Sequence, residues 1–467
     1  MSLRDRREDM YLTDSRASRL ALARAKFTAH FRPGEVRLLR APARINIIGE
    51  HVDYVSYLPT ASLPFGSQEH EMLMLFRPLA GGRVRGVSSH AAYEPFEFEL
   101  EKESGGGEWA SWVFNRPAPR PHWSNYVRGA VAFAQWSLGG AVRQGFEFLI
   151  DSTIPPGGGS SSSSAIVVLA GAAIREVNGI EYGLGDLARD SSQAEWYLGT
   201  RGGALDHTAI CLGRRHHALV MDHSVQVSEA LPIPGDPWRW VTFFSQPADK
   251  GREVMLEYNE RAAVSRLLIP ALLSDVGTID ARIEALPESC TLADFADRFP
   301  AAFADCSAAF PELVATRSNR SLRIRDRARH HLGEVRRVAG AVRLLRGLTE
   351  AAAEGSGGSS DLSSDEVMRR LGVLIDESHQ SLRELYEVSI PEVDQLVDTI
   401  SSRPGLIAGR RLMGGGFGGN VLVLCRTENL SELIDLVNQG YYAPRGRNAL
   451  AEGAVMISTP GEGLTHL

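Results

Sequence analysis

Midway through the amino-terminal half, the run Pro155-Pro-Gly-Gly-Gly-Ser-Ser-Ser-Ser-Ser-Ala165 separates a short apolar strand pattern, Gly145–Ile150, from an apolar helix pattern, Ile166–Val177. Few arrangements tolerate such a run. Glycine lets the backbone approach an anion without a Cβ in the way, and free N–H groups at the start of the next helix then face it. The helix dipole adds to that attraction, and serine hydroxyls can donate to phosphate oxygens or act as hard oxygen ligands for Mg²⁺. A flexible Gly/Ser linker is the bland alternative, but linkers are seldom flanked so closely by an apolar strand and helix. No Gly-Lys-Ser/Thr closes the run, so the Walker-type phosphate loop is not indicated.

A second glycine cluster, Gly414-Gly-Gly-Phe-Gly-Gly419, fits GxGxxG at Gly414, Gly416 and Gly419. A dinucleotide fingerprint follows a strand and opens a helix, whereas these glycines precede the apolar strand Val421–Cys425. Two uses remain, a tight structural turn or a loop facing the first glycine run.

Two polar clusters stand out against apolar surroundings. Arg44, Glu50, His51 and Asp53 lie within ten residues at the end of a strand-like run, with Tyr54 and Tyr57 beside them. Carboxylates and aromatic rings together can bind sugar hydroxyls; a solvated turn with a salt bridge is the competing reading. The second cluster runs from Gln193 and Glu195 to Asp206 and His207. An acid drawn inward there needs a partner, and could serve a hydroxyl nucleophile as base or charge stabiliser. A capping or turn aspartate would look the same.

Length favours two or three domains for 467 residues, and 43% hydrophobic with 23% charged residues fits a globular core. The net charge of −7 gives no support for a nucleic-acid surface. Cys211, Cys290, Cys306 and Cys425 are widely spaced, which argues against a zinc site or disulfide framework and for a reducing compartment. With neither an apolar signal core nor an 18-residue apolar run, a cytoplasmic chain without membrane contact is expected. Residues 1–30 read as a charged lead-in and a helix, and 104–121 as a loop. The second half is mostly helical, over Val254–Leu268, Ile324–Arg346, Ser364–Leu385 and Ile390–Ser401, with Gly355–Ser360 a surface loop. Strands and helices in segregated order predict an α+β chain.

Three segments in order resemble the galactokinase branch of the GHMP small-molecule kinases. They are Ala41-Pro-Ala-Arg-Ile-Asn-Ile-Ile-Gly-Glu-His-Val-Asp-Tyr54, the run Pro155–Ala165, and Leu412-Met-Gly-Gly-Gly-Phe-Gly-Gly-Asn420. Weaker matches lie between, at Trp123-Ser-Asn-Tyr126, Gly199–Asp206, Tyr258-Asn-Glu-Arg261 and Glu377–Asp394. The resemblance implies a two-domain fold. An amino-terminal nucleotide domain, ribosomal-S5-domain-2-like, would take residues 1–225, and a ferredoxin-like α+β domain residues 226–467, with the site in the cleft between them. It implies ATP and Mg²⁺, and transfer of a phosphoryl group to the anomeric hydroxyl of galactose or a related aldose; a monomer is expected.

By the same resemblance, Asp206 and Arg44 are the catalytic pair, as base or orienter and as charge stabiliser. Glu50, His51, Asp53 and Gly203 line the sugar pocket, and Tyr258 closes it. Pro155, Gly157, Gly158, Gly159, Ser160, Ser161, Ser162 and Ser163 hold the nucleotide, and Ser163 with Glu195 holds Mg²⁺. Trp123 is an adenine neighbour or an aromatic core residue. The chain departs from the pattern after Tyr54, where Val55-Ser-Tyr-Leu-Pro59 is two residues short and bears on substrate identity. His207, Asn420 and Ser160 stand where glutamine, cysteine and leucine are usual. Kinases for N-acetylgalactosamine or a non-sugar alcohol, and a sugar/ATP sensor working through a partner, are the alternatives.

Overall fold

The computed structural model describes residues 16–100, 107–117, 119–199, 202–224, 227–247, 251–354, 363–451 and 453–467. The lead-in before Arg16 and the expected loop Gly355–Ser360 lie outside them.

The first sheet grows from β1 (Arg37–Asn46) and β2 (Pro64–Leu79), with β3 (Arg83–Ser88), β4 (Phe96–Glu99) and β5 (Gly145–Ser152) completing it in the order β1-β2-β5-β3-β4. Pairing is antiparallel except between β3 and β5. Side chains alternate across β1 as a twofold repeat demands. Leu39, Ala41 and Ala43 join the core under α2 (Ser124–Leu138) and α3 (Ser162–Val177), while Leu38 packs with Ala23 and Phe27 of α1 (Arg16–His30) on the other face. The chain returns at its end: Thr465–His466 pair with Leu39–Arg40 along the open edge of β1.

A small sheet of Ala61–Ser62, β6 (His217–Asp222) and β7 (Val227–Pro232) follows α4 (Leu184–Glu195) and α5 (Leu205–Leu212). The last sheet comprises β8 (Trp238–Gln246), β9 (Ile407–Met413), β10 (Gly419–Arg426) and β11 (Val455–Ser458), in the order β9-β10-β8-β11. Leu422 and Leu424 face α7 (Arg325–Glu354) and α8 (Ser364–Ser381), whereas Val421, Val423 and Cys425 face α9 (Pro391–Ser401) and α10 (Leu430–Val437). Ile45, Ile47 and Ile48 leave the first core and enter this one. The end of β1 therefore lies where the two halves meet, and the polar cluster after it lies there too.

Three expectations need correction. The helix read from Ile166 begins at Ser162, so the serines form its first turn; its first internal bond runs from Ala165 N–H to Ser161 O. Within 104–121, expected as a loop, Trp109–Phe114 is a short helix that buries Trp109 and Val113 in the first core. Neither Val254–Leu268 nor Ser364–Leu385 is one α-helix. The first is α6 (Arg252–Ala263) followed by a π-helical turn, Val264–Leu268, and the second ends in another, Leu382–Tyr386. These wide turns face each other through Ser265 Oγ and Tyr386 Oη, 3.1 Å apart.

Candidate active site

A register shift between Pro42 and Arg44 interrupts the β1–β2 ladder, as a bulge does when it re-aims a side chain. Arg44 N–H donates instead to Ser160 O at 3.2 Å, and its guanidinium turns across the serine run. Nε donates to Asp206 Oδ1 at 2.8 Å, Nη2 lies 2.5 Å from the same oxygen, and Nη1 donates to Gly159 O at 3.1 Å. Ser161 Oγ donates to the other oxygen, Oδ2, at 2.5 Å. Asp206 sits in the first turn of α5. Burial alone would raise its carboxyl, but Arg44 and Ser161 outweigh that and hold it below the usual range. Burial likewise pulls Arg44 down, and Asp206 with Glu50 more than reverses it. A fixed carboxylate–guanidinium couple results.

Glu195, at the end of α4, receives Ser164 Oγ at 2.9 Å, and His207 Nε2 lies 2.9 Å from the same Oε2. Those contacts overcome burial and lower the Glu195 carboxyl. Ser164, the residue after Ser163, is the serine that reaches Glu195. Because α3 starts at Ser162, the N–H groups of Ser162, Ser163 and Ser164 have no helical acceptor and face outward from its first turn.

The two glycine runs meet. A Cβ on Gly414 would lie 3.0 Å from Gly159 Cα, and one on Gly159 would lie 2.6 Å from Met413 O. Asn420 Nδ2 donates to Ser160 Oγ across the same junction at 2.8 Å. Of the two uses left open for the second run, the loop facing the first is what the fold builds.

On the other side of Asp206 lies the polar cluster expected to line a sugar pocket. His51 has a positive φ of 59°, and its Nδ1 shares a hydrogen bond with Tyr54 Oη at 2.8 Å; Tyr54 Oη meets Tyr386 Oη at 2.8 Å. Burial lowers His51 to about 4, so the ring is neutral. Its Nε2 is buried with no partner among the described residues. Asp53 is raised to about 6, first by burial and then by Asp206. Gly203 presses on the Asp53 carboxylate so closely that a Cβ there would strike it. Tyr258, on α6, has its ring centroid 5.9 Å from His51 and 6.4 Å from Tyr54.

Glu50 reaches the floor of this pocket, but its Oε1 is committed: Arg411 Nη2 donates to it at 2.5 Å and Gly414 N–H at 2.7 Å. Glu334 lies beyond, accepting from Gly49 N–H at 2.8 Å and Ser378 Oγ at 2.7 Å, with Arg411 Nη1 4.0 Å away. Trp123 stands at the start of α2, donating to Glu94 O at 2.8 Å with its ring edge-on to Phe96. Pro155 and Gly157 precede the serine turn, Gly157 at φ 73°.

Sequence reasoning missed Ser164, Arg411, Glu334 and Tyr386. Arg411 carried a signal, an arginine pair interrupting the apolar run that leads into the second glycine cluster. Glu334 and Tyr386 had none, being ordinary residues of helical stretches.

No group of three or more His, Cys, Asp or Glu able to hold a metal occurs among the described residues. One carboxylate with neighbouring serine hydroxyls is nevertheless what Mg²⁺ takes when phosphates complete its shell, so Glu195 and the serine turn fit it. Among the described residues no helix is long and apolar enough to cross a membrane.

Comparison with known proteins was made on this geometry. Residues 25–61 match a family model described as the galactokinase galactose-binding signature, residues 125–214 the GHMP kinases N terminal domain, and residues 364–443 the GHMP kinases C terminal domain. A galactokinase of Chloroflexus aggregans is 30% identical over 450 residues, covering 94% of this chain and 96% of its own. A galactokinase of Glaesserella parasuis is 26% identical, covering 91% of this chain and 95% of its own. In fold, the crystal structure of Lactococcus lactis galactokinase complexed with galactose aligns with a TM-score of 0.71 at 24% identity, over 96% of this chain and all of that one. A mevalonate kinase structure aligns over 91% of this chain with a TM-score of 0.51.

Proposed function

Because the chain belongs to the galactokinase branch of the GHMP kinases and is a phosphotransferase acting on a sugar hydroxyl, we propose that it transfers the γ-phosphoryl group of ATP to the anomeric hydroxyl of galactose. The observation that supports this most directly is Asp206. It is held by Arg44 and a loop serine on one side and borders the Asp53–His51 pocket on the other.

The nucleotide phosphates lie along Gly157, Gly158, Gly159, Ser160, Ser161, Ser162 and Ser163, with the free N–H groups of the α3 first turn donating to them. Pro155 stiffens the approach to the loop, and the adenine lies toward Trp123. Glu195, steadied by Ser164, and Ser163 would hold Mg²⁺, which would neutralise phosphate charge there. Residues 1–225, with the returning strands Pro460–Gly461 and Thr465–His466, make the nucleotide half, and the rest of 226–467 the half that closes over the sugar.

Asp206 accepts a hydrogen bond from the attacking hydroxyl and aims it at phosphorus. Its carboxyl is held low, far from the near-neutral value that suits a general base. Phosphoryl transfer through a loose transition state asks for little early proton removal, so Asp206 orients the nucleophile first and receives its proton late. Arg44, bridging Asp206 and the loop, sits where charge builds on the transferring group. His51 Nε2, Asp53, Gly203 and Tyr258 surround the remaining sugar hydroxyls, and Glu50 holds the second glycine loop beneath them. The four cysteines are free and buried, which supports a reducing cytoplasmic setting. A monomer suffices, since every group invoked comes from one chain.

The test is ADP release with Mg·ATP across a panel of aldoses. Galactose-dependent turnover with a sugar 1-phosphate product is expected. Turnover with another aldose alone would reassign the substrate to the altered segment after Tyr54, and no turnover with any would remove the kinase reading.

A further inference from the structure

Arg266 belongs to the π-helical turn that follows α6, in a stretch the sequence left without any functional signal. Its guanidinium carbon lies 5.4 Å above the Tyr54 ring, and Nη2 reaches Gly202 O at 3.5 Å. Gly202 adjoins Gly203, the glycine that presses on Asp53, and a Cβ on Gly202 would lie 3.7 Å from Tyr258 Oη. Arg266 is thus on the Asp53 side of the cluster, outside every motif and five residues beyond the match that ends at Arg261. It forms no ion pair with Asp53 or with any other described carboxylate, although its charge acts on both Asp53 and Tyr258.

Arg44 and Asp206 touch, and nothing can enter between them. Arg266 and Asp53 are brought near each other through the adjacent Gly202 and Gly203 without forming an ion pair. A carboxylate that accepts and a guanidinium that donates, held apart, bracket a hydroxyl group: the O–H donates to the acid and its oxygen accepts from the arginine. Resting on the sugar-kinase reading above, we propose that Arg266 is a specificity-determining residue that, with Asp53, clamps one non-reacting hydroxyl of the aldose. The ligand chemistry this selects is a secondary or primary alcohol, and its deoxy analogue would leave both charged groups unmatched.

The experiment compares the wild type with Arg266→Met and Arg266→Lys, using galactose and its 2-, 3-, 4- and 6-deoxy analogues. In the wild type one deoxy sugar should lose about tenfold or more in kcat/KM. Arg266→Met should raise KM for galactose by about as much, with a smaller change in kcat, and should erase the penalty for that same deoxy sugar alone. Arg266→Lys, which keeps the charge, should restore part of it. An Arg266→Met enzyme with unchanged KM and an undiminished deoxy penalty would overturn the proposal. So would a loss spread evenly over all sugars and matched by a lowered Tm, the mark of a merely structural residue. If the wild type phosphorylates no aldose, the kinase reading fails separately. Sugar binding read by thermal shift in the same variants then decides Arg266: a deoxy penalty that vanishes in Arg266→Met upholds the clamp, and binding that is absent or indifferent to the variant ends it.

Discussion

The two ends of the pocket treat charge in opposite ways. At the phosphate end Arg44 and Ser161 are tied to Asp206 at 2.5–2.8 Å, and Ser164 to Glu195 at 2.9 Å and to Asp206 at 3.5 Å. At the sugar end Asp53 has no ion-pair partner and His51 Nε2 has no partner at all among the described residues. Pairing at the first end fixes dipoles before substrate arrives, so little reorganisation is needed when charge moves. Unpaired groups at the second end are costly to bury and regain their hydrogen bonds only from a ligand with hydroxyls in the right places. One end is built for rate and the other for recognition.

Asp206→Asn should break the first end most severely. It removes the charge that Arg44 and Ser161 were arranged around, and kcat should fall by about 10³-fold or more while KM for the sugar changes far less. Steady-state ADP release checks this. A large rise in KM with kcat preserved would mean that Asp206 is a recognition group, and the division between the ends would collapse.

Arg411 lies beneath both ends, fully buried, compensating Glu50 and facing Glu334. Arg411→Met should leave buried Glu50 without its closest cation, Glu334 keeping Arg337 at 2.8 Å, and cost about 3–5 kcal/mol of stability by urea unfolding. A loss under about 1 kcal/mol would show that the floor does not depend on this pair. Arg411 also illustrates what a sequence displays. Arg44 and Asp206 are legible because motif spacing announces them, and the serine run because its composition is odd. The floor is not. Glu50 and Arg411 are 361 residues apart, and Glu334 is one more polar residue of a long helix, so only tertiary packing reveals that the three share a site. The π-helical turns are invisible for a related reason. Val264–Leu268 and Leu382–Tyr386 continue the apolar periodicity of the helices they end, and only the widened backbone brings Ser265, Arg266 and Tyr386 to the pocket.

Within the phosphate end, Ser163 and Ser164 separate a direct role from a supporting one. Ser164→Ala removes the hydroxyl that steadies Glu195 and should raise the Mg²⁺ concentration for half-maximal rate by about tenfold, as loss of a ligand's supporting contact does. Ser163→Ala should cost at least as much if Ser163 supplies a ligand. A Mg²⁺ titration that moves with Ser164 alone would transfer the metal role to that residue.

The smallest effect near neutral pH belongs to the sugar end, and it concerns Asp53. Its carboxyl stands at about 6 because burial and the nearby Asp206 oppose its charge. As pH falls through 6 the folded protein takes up this proton while the unfolded chain, near 3.8, has not. Stability from this group therefore increases between about pH 6 and 4, being fully present below the lower value and lost as pH rises through the upper one. Sugar affinity must run the other way, because a protonated Asp53 loses its charge and half its capacity to accept. KM for the sugar should roughly double at pH 6 and rise about tenfold by pH 5, with kcat, governed by the already ionised Asp206, much flatter. Asp53→Asn should start from a high KM and show no such limb. A limb that persists in Asp53→Asn would have to come from the phosphate end, and the contrast between paired and waiting charges would need to be drawn elsewhere.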